Sequence, residues 1–306
     1  MLSVIIPAFN EENAILQTVE SLGTTLISSG IVYEIIIIND GSSDNTGAIA
    51  ESLGTDESIH VIHHPKPAGY GYSLKDGIKM SRYDLIAITD ADGTYPNDRI
   101  PDLCKLVAED GYDMAVGART GREYLGSFPK KYARRVFVWL SEYATGQKID
   151  DINSGLRVFR KEIALKYIHT IGNGFSFTTT ITLASLLDGY FVRYIPITYY
   201  RRVGKSHINY RRDTLRSLQI IIENILYFNP LKLFLLLVAF MFGLSFASFF
   251  LFVLLKETGY CFFFGCLSAF SFTSAFVIAA IGLLTDFIRI SSKVSKSVFL
   301  PRKHEK

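Results

Sequence analysis

Four short, mostly apolar runs, Ser3–Ala8, Ile35–Ile38, His60–His64 and Leu85–Ile88, recur along the first third of the chain, and each reads as a strand. The stretches between them have helical spacing. Ile15, Val19, Leu22 and Leu26 fall on one side of a helix predicted over Asn13–Ile27, Asp44 is placed to cap a second over Asn45–Leu53, and a third covers Gly71–Met80. Apolar strands alternating with amphipathic helices predict an α/β domain whose mainly parallel sheet is covered on both faces. Three of the strands run out into acidic or polar turns: Phe9-Asn10-Glu11-Glu12, Asn39-Asp40-Gly41-Ser42-Ser43-Asp44 and Asp90-Ala91-Asp92-Gly93. Strand C-termini share one edge of such a sheet, and that edge is where ligands sit.

Further along, a strand over Met114–Val116 leads into Gly117-Ala118-Arg119. A helix follows over Phe128–Thr145, with Val136, Trp139, Leu140 and Tyr143 as an apolar row and Lys130, Lys131, Arg134 and Arg135 as its charge. Such a helix suits a membrane surface, and it equally suits packing on a core with its basic face in water.

The pattern then changes. Leu233–Leu255 and Thr258–Thr285 carry no charged residue, and each run exceeds the ~20 residues needed to cross a bilayer. Lys256-Glu257-Thr258-Gly259 joins them, which predicts a two-helix transmembrane hairpin. Arg201, Arg202, Arg211, Arg212, Arg216 and Lys232 precede it, and Arg289, Lys293, Lys296, Arg302, Lys303 and Lys306 follow. By the positive-inside rule both ends, with the α/β domain, are expected on the cytoplasmic side of an integral membrane protein. Leu215, Leu218, Ile222 and Ile225 form a stripe suited to a surface-lying helix. The expected division is a catalytic-type domain over 1–210, a juxtamembrane helix over 211–230, two spans within 231–288 and a basic tail over 289–306. Ser268, Ser271, Thr273, Ser274 and Ala275 in the second span would support helix association and a homo-oligomer.

Composition narrows the function. Hydrophobic residues make up 49% of the 306, and their excess lies in the two uncharged runs. A net charge of +3 gives no electrostatic footprint for nucleic acid. Cys104, Cys261 and Cys266 lack zinc-ligand or CxxC spacing, and an odd number argues against a disulfide framework. The opening Leu2-Ser3-Val4-Ile5-Ile6-Pro7 has neither the basic flank nor the apolar length of a secretory signal, so none is expected. Gly69-Tyr70-Gly71 lacks the third glycine of a dinucleotide fingerprint.

Asp90 and Asp92 are paired acids at a strand end, placed to hold a divalent cation against a diphosphate; a solvated Asp-rich turn has the same sequence. Glu11 and Asp40 can accept from ribose hydroxyls or base N–H groups. Glu11 would equally serve as an acid at a helix N-terminus, and Asp40 as the side chain of an Asx-turn.

Taken in order, Val4-Ile5-Ile6-Pro7-Ala8-Phe9-Asn10-Glu11, Asn39-Asp40-Gly41-Ser42-Ser43-Asp44, Asp90-Ala91-Asp92 and Asn153-Ser154-Gly155-Leu156-Arg157-Val158-Phe159 resemble the motifs of family 2 glycosyltransferases. Within that family the chain is most similar to the dolichyl-phosphate mannosyltransferase and polyprenyl-phosphate glycosyltransferase branch, over about residues 1 to 210. The resemblance implies a GT-A-type nucleotide-sugar-binding domain. It implies that Pro7, Ala8, Asn10, Glu11 and Asp40 line the nucleotide pocket, and that Asp90 and Asp92 hold Mg²⁺ or Mn²⁺. Relatives carry a Gln after the acidic motif where this chain has Gly93-Thr94, which leaves a third side-chain ligand open, with Thr94 as a weak substitute.

By the same resemblance Arg119 and Arg135, or Arg134 in place of the latter, clamp the phosphate of a polyprenyl phosphate acceptor. Asp151 is expected as a base or acceptor-orienting acid, or alternatively as the partner that orients Arg157. Tyr199-Tyr200-Arg201-Arg202-Val203-Gly204-Lys205-Ser206-His207 resembles a loop whose basic residues close over the diphosphate, and either Lys205 or His207 would supply its lysine-like contact. Thr180 stands where many relatives have Glu. The implied reaction is an inverting transfer of mannose from GDP-mannose or glucose from UDP-glucose to the lipid phosphate. A processive polysaccharide synthase is the rival enzyme, but its Gln-x-x-Arg-Trp is missing, since the single Trp139 follows Val136-Phe137-Val138. A membrane-anchored sugar-nucleotide sensor is the non-enzymatic rival.

Overall fold

A computed structural model describes residues 1–121, 128–172, 174, 177–202, 219, 221–257 and 259–299, with side chains except at 128–134 and 292–299. The chain divides into two compact units, Met1–Ile221 and Ile222–Lys306.

The first unit is built on a sheet of seven strands: β1 (Leu2–Ala8), β2 (Tyr33–Asn39), β3 (Ile59–His63), β4 (Leu85–Ile88), β5 (Met114–Thr120), β6 (Arg157–Arg160) and β7 (Val192–Thr198), in the order β3-β2-β1-β4-β6-β5-β7. Central strands of a sheet covered on both faces are apolar throughout, as in Ile35–Ile38, where no residue is more than 1% exposed. The intervening helices are α1 (Ile15–Ser28), α2 (Thr46–Leu53), α3 (Tyr70–Met80) and α4 (Ile100–Ala108). The row Ile15, Val19, Leu22 and Leu26 is the buried side of α1, as its spacing requires.

All strands but β6 run in one direction; β6 is antiparallel to both neighbours, pairing Ile88 with Arg157 and Val116 with the same residue. That reversal matters for the site. The chain enters β6 through Asp151–Gly155 at the edge where β1, β2, β4 and β5 end. β7 runs parallel to β5 and delivers Tyr199–Arg202 to the same edge. Pairing with β7 also carries β5 through Thr120, so Arg119 lies within the strand and not after its end at Val116.

α5 (Phe128–Thr145) has its expected limits. α6 (Lys161–Tyr167) and α7 (Phe177–Leu187) complete the first unit's long elements. In the second unit, α8 (Pro230–Leu254) and α9 (Cys261–Phe299) are both long and apolar enough to cross a membrane, with 11% and 17% of their most apolar windows buried. Ser245 and Ser268 donate to each other's backbone carbonyls at 3.0 Å, so Ser268 is used within the hairpin.

Two expected boundaries move. The units part at Ile221 and not at 210, and residues 221–228 are helical; the part of the expected stripe at Leu215 and Leu218 lies outside the described residues. α9 continues to Phe299, so Arg289, Lys293 and Lys296 belong to a helix and not to a tail. No Gly or Pro interrupts the chain between Gly282 and Pro301, and nothing stops propagation.

Candidate active site

The β4 turn is fixed from below. Thr89 Oγ1 donates to Asn97 Oδ1 at 3.0 Å, Asn97 Nδ2 to the Thr18 carbonyl at 3.3 Å, and Thr18 Oγ1 to the Ala91 carbonyl at 3.1 Å, which pins the turn to α1. Asp92 is buried, and its Oδ1 accepts from Thr94 N at 3.1 Å and from Thr94 Oγ1 at 2.6 Å. Thr94 thus orients Asp92 by donating its hydroxyl hydrogen to it. Asp90 Oδ1 accepts from Tyr70 Oη at 3.0 Å. The backbone of Gly155 packs against this carboxylate: a Cβ there would lie 2.9 and 3.0 Å from its two oxygens, so a side chain at 155 would have to displace it. Among the described residues no donor is recorded on Asp90 Oδ2. Burial, and then the charge of Asp92, raise the Asp90 carboxyl well above the usual carboxylate range.

Glu11 and Arg202 meet across the same edge. Arg202 Nη2 donates to Glu11 Oε1, while Arg202 Nε lies 3.5 Å from Asp92 Oδ2. One guanidinium thus stands between two acids from different strand ends. Burial pushes Glu11 up to about 7, with the Arg202 charge pulling it back and the Asp92 and Asp90 charges adding to the rise. Its carboxylate serves Arg202 and does not cap α1, whose first turn holds no acid. Arg201 is exposed, and Lys205, Ser206 and His207 lie outside the described residues.

The β1 and β2 turns are stapled together. Asn10 adopts a left-handed φ of 56°, and its Oδ1 accepts from Ser43 N at 2.8 Å while its own N–H donates to Ser42 Oγ at 3.0 Å. Ala8 is buried and its carbonyl takes the Asp40 N–H at 2.9 Å, while Pro7 is half-buried beside it. Asn39 Oδ1, not Asp40, caps the β2 turn by accepting from Ser42 N at 3.1 Å, so the Asx-turn role falls to the neighbour. The Asp40 carboxylate reaches across to the β3–α3 loop, accepting from His64 Nδ1 at 2.7 Å and from Ala68 N and Gly69 N at 2.8 Å each.

Arg119 and Asp151 form a two-pronged ion pair, Nε to Oδ2 at 2.7 Å and Nη2 to Oδ1 at 3.0 Å. Arg119 N and Asn153 N also donate to this carboxylate, at 3.2 and 3.1 Å, and Asp151 is only 2% exposed. Arg157 is elsewhere: fully buried, it donates to the Ser154 carbonyl, to the Thr178 carbonyl at 3.2 Å and to Thr182 Oγ1 at 3.0 Å. Asp151 accordingly orients Arg119 and not Arg157. Tyr199 lies beneath the Arg119 guanidinium, 5.4 Å from ring centre to Cζ.

Residues 3–168, more than half of the chain, match the family described as glycosyl transferase family 2. The chain belongs to that family. Its α/β domain resembles glucosyl-3-phosphoglycerate synthase of Mycobacterium tuberculosis, with a TM-score of 0.58, 16% identity and coverage of 74% of this chain and 79% of the other, in a structure containing Mn²⁺, UDP-glucose and phosphoglyceric acid. The low-salt glycan biosynthesis hexosyltransferase Agl6 of Haloferax volcanii is 30% identical over 227 residues, 73% of this chain and 53% of Agl6. The undecaprenyl-phosphate 4-deoxy-4-formamido-L-arabinose transferase of Yersinia pestis is 31% identical over 169 residues, 55% of this chain and 51% of the relative. The chain therefore spans about half the length of these curated relatives.

This family 2 chain departs from expectation on α5. Leu140 and Ala144 are buried, while Val136 is 40% and Trp139 52% exposed, Trp139 stacking on Tyr143. The apolar row is thus split between core and surface, and Arg135 is exposed at its start. The side chain of Arg134 lies outside the described residues. Thr180 is buried within α7; its neighbour Thr179 donates to Asn153 Oδ1 at 2.6 Å. A cavity of about 460 Å³ lined by Glu34, Glu51, His60 and Arg82 holds none of the site residues.

The donor set of the β4 turn suits a hard divalent cation. It is all oxygen, its two carboxylates crowd each other, and one oxygen of Asp90 has no protein donor recorded on it. No group of three His, Cys, Asp or Glu side chains assembles among the described residues, so these two carboxylates alone would leave most of an oxygen shell to other donors.

Proposed function

We propose that this chain is a membrane-bound inverting glycosyltransferase that moves a hexose, mannose from GDP-mannose or glucose from UDP-glucose, to a polyprenyl phosphate such as dolichyl or undecaprenyl phosphate. Family membership supports glycosyl transfer. The names of the two relatives support a hexosyl donor and a polyprenyl phosphate acceptor, and the Mn²⁺ and UDP-glucose of the structural neighbour support a metal-assisted nucleotide-sugar site. α8 and α9 serve as the membrane anchor, and the basic residues before and after them support a cytoplasmic position for both ends. Small polar residues of α9 support self-association in the bilayer.

One observation carries the choice of acceptor. Asp151, the acid best placed by sequence to act as a base, has both oxygens engaged by four donors, three of them from Arg119. A hydroxyl acceptor needs a base; a phosphate monoester, with a second pKa near ~6, arrives ionised at neutral pH. The protein's work is then alignment and charge balance. Arg119, held rigid by Asp151, presents a planar fork to the acceptor phosphate, with the exposed Arg135 and the Trp139 surface of α5 at the bilayer. Asp40, Glu11 and the stapled Asn10 turn hold the nucleoside. Mg²⁺ or Mn²⁺ held by Asp90 and Asp92 would offset the charge on the departing nucleoside diphosphate. Arg202, within reach of Asp92, adds positive charge at the same place, with Arg201 before it and Lys205 and Ser206 after it in the chain.

The test uses purified full-length protein with Mn²⁺, a polyprenyl phosphate or the matching polyprenol, and UDP-glucose or GDP-mannose, with products read by mass spectrometry. A lipid-phosphate hexose formed only from the phosphate acceptor is expected. No product from the phosphate acceptor with either donor, or transfer to the alcohol alone, sinks the reading.

A further inference from the structure

We propose that His64 is a positioning residue for nucleotide binding: it fixes the Asp40 carboxylate and, through it, the loop that forms one wall of the site. The inference rests on the nucleotide-sugar reading above. His64 follows β3 directly, its side chain is 8% exposed, and its N–H reaches back to the Asn39 carbonyl at 2.9 Å. Asp40 Oδ1 accepts the Ala68 N–H as well as the imidazole, so Nδ1 is the protonated nitrogen of that contact. On the other side Nε2 lies 3.4 Å from Asp76 Oδ2, and the Tyr72 ring meets the imidazole edge-on at 5.3 Å. Both flanking groups come from α3, so the ring is wedged between the end of β2 and the first turns of that helix.

The loop between His64 and α3 has little freedom. The backbone at Gly41 lies so close to Lys66 and Pro67 that a Cβ would fall 2.6 Å from the Lys66 carbonyl carbon. Asp40 takes the Ala68 and Gly69 N–H groups, and the next residue, Tyr70, donates to Asp90. A single imidazole therefore secures the acid at the nucleoside end and the loop leading to the acid at the diphosphate end. Losing its N–H would let the Asp40 carboxylate turn, and a charge-assisted bond of this kind is worth ~1.5–3 kcal/mol, or ~10–150-fold in an equilibrium.

Two substitutions separate this role from simple packing. In His64→Asn the amide nitrogen falls near Nδ1 and keeps a donor for Asp40; in His64→Gln it falls near Nε2 and does not. With full-length protein and Mn²⁺, calorimetric titration with UDP and GDP is expected to give His64→Asn an affinity within about threefold of wild type. His64→Gln is expected to bind at least about tenfold more weakly, with a matching rise in KM for the sugar donor and kcat within about threefold. Asp76→Asn, which removes only the charge behind the ring, should weaken binding by about two- to threefold. Equal affinities for the Gln and Asn variants, or losses that track their melting temperatures and not the position of the amide, would overturn the proposal. Wild-type protein that binds neither nucleotide would instead sink the functional reading on which it rests.

Discussion

The β2 turn and the β4 turn are built from the same materials and end in opposite states. Each follows a buried apolar strand, and each presents an aspartate at the same sheet edge. Asp40 has three protein donors, two of them backbone amides from a loop clamped against it. Asp90 has one recorded, a tyrosine hydroxyl, and stands beside a second acid on a glycine backbone that leaves no room to retreat. A buried carboxylate that is satisfied by the fold holds structure; one that is crowded by like charge and left short of donors takes up a proton or a cation more readily. The type of residue does not distinguish the two turns. The supply of partners does.

The largest expected effect comes from removing the crowded charge. Asp92→Asn or Asp90→Asn should lower kcat by about 10³-fold or more with little change in melting temperature, measured by radiolabelled hexose transfer, because both act on charge developing in the reaction. Asp151→Asn turns the two-pronged partner of Arg119 into a neutral amide and should cost about 10²-fold in kcat/KM for the lipid phosphate, more than for the sugar nucleotide. Gly155→Ala, which drives a methyl group into the Asp90 oxygens, should lower kcat by about tenfold; an unchanged value would mean that Asp90 has room to move.

A smaller effect is expected in stability against pH. Glu11 sits near 7 in the folded protein and near 4.5 when unfolded, so between those values the native state holds the extra proton and stability falls as pH rises. Glu11 should contribute up to about 3 kcal/mol to the stability that metal-free protein loses across pH 4.5 to 7, and Glu11→Gln should make that slope shallower. The smallest change is Thr94→Val. Losing its hydroxyl bond to Asp92 should weaken Mn²⁺ binding about fivefold, the worth of one hydrogen bond of ~1 kcal/mol.

Much of this arrangement was legible in the chain. The strands β1, β2 and β4 and the row on α1 follow from local periodicity, and the acidic turns follow from where those strands end. β6 and β7 were not legible. Arg157–Arg160 is four residues bounded by arginines, and it becomes a strand because β4 and β5 flank it; Val192–Thr198 carries Pro196 and is only partly buried. Because those strands were missed, so were the contacts they deliver. The pairing of Arg202 with Glu11 joins residues 191 apart, and nothing local marks it. Arg119 and Asp151 were both singled out as candidates, but only the reversed direction of β6 brings them together. His64 went unassigned because a lone histidine after a strand has no distinctive spacing.

Binding of Mn²⁺, followed by electron paramagnetic resonance with and without UDP or GDP, tests the difference between the two turns most directly. Wild-type protein should bind the ion more tightly with nucleotide present. Asp90→Asn and Asp92→Asn should each lose that binding, while Asp40→Asn should keep Mn²⁺ and lose only the gain from nucleotide. Undiminished Mn²⁺ binding in both β4 variants, or its loss in Asp40→Asn alone, would contradict the assignment of the metal to the β4 turn.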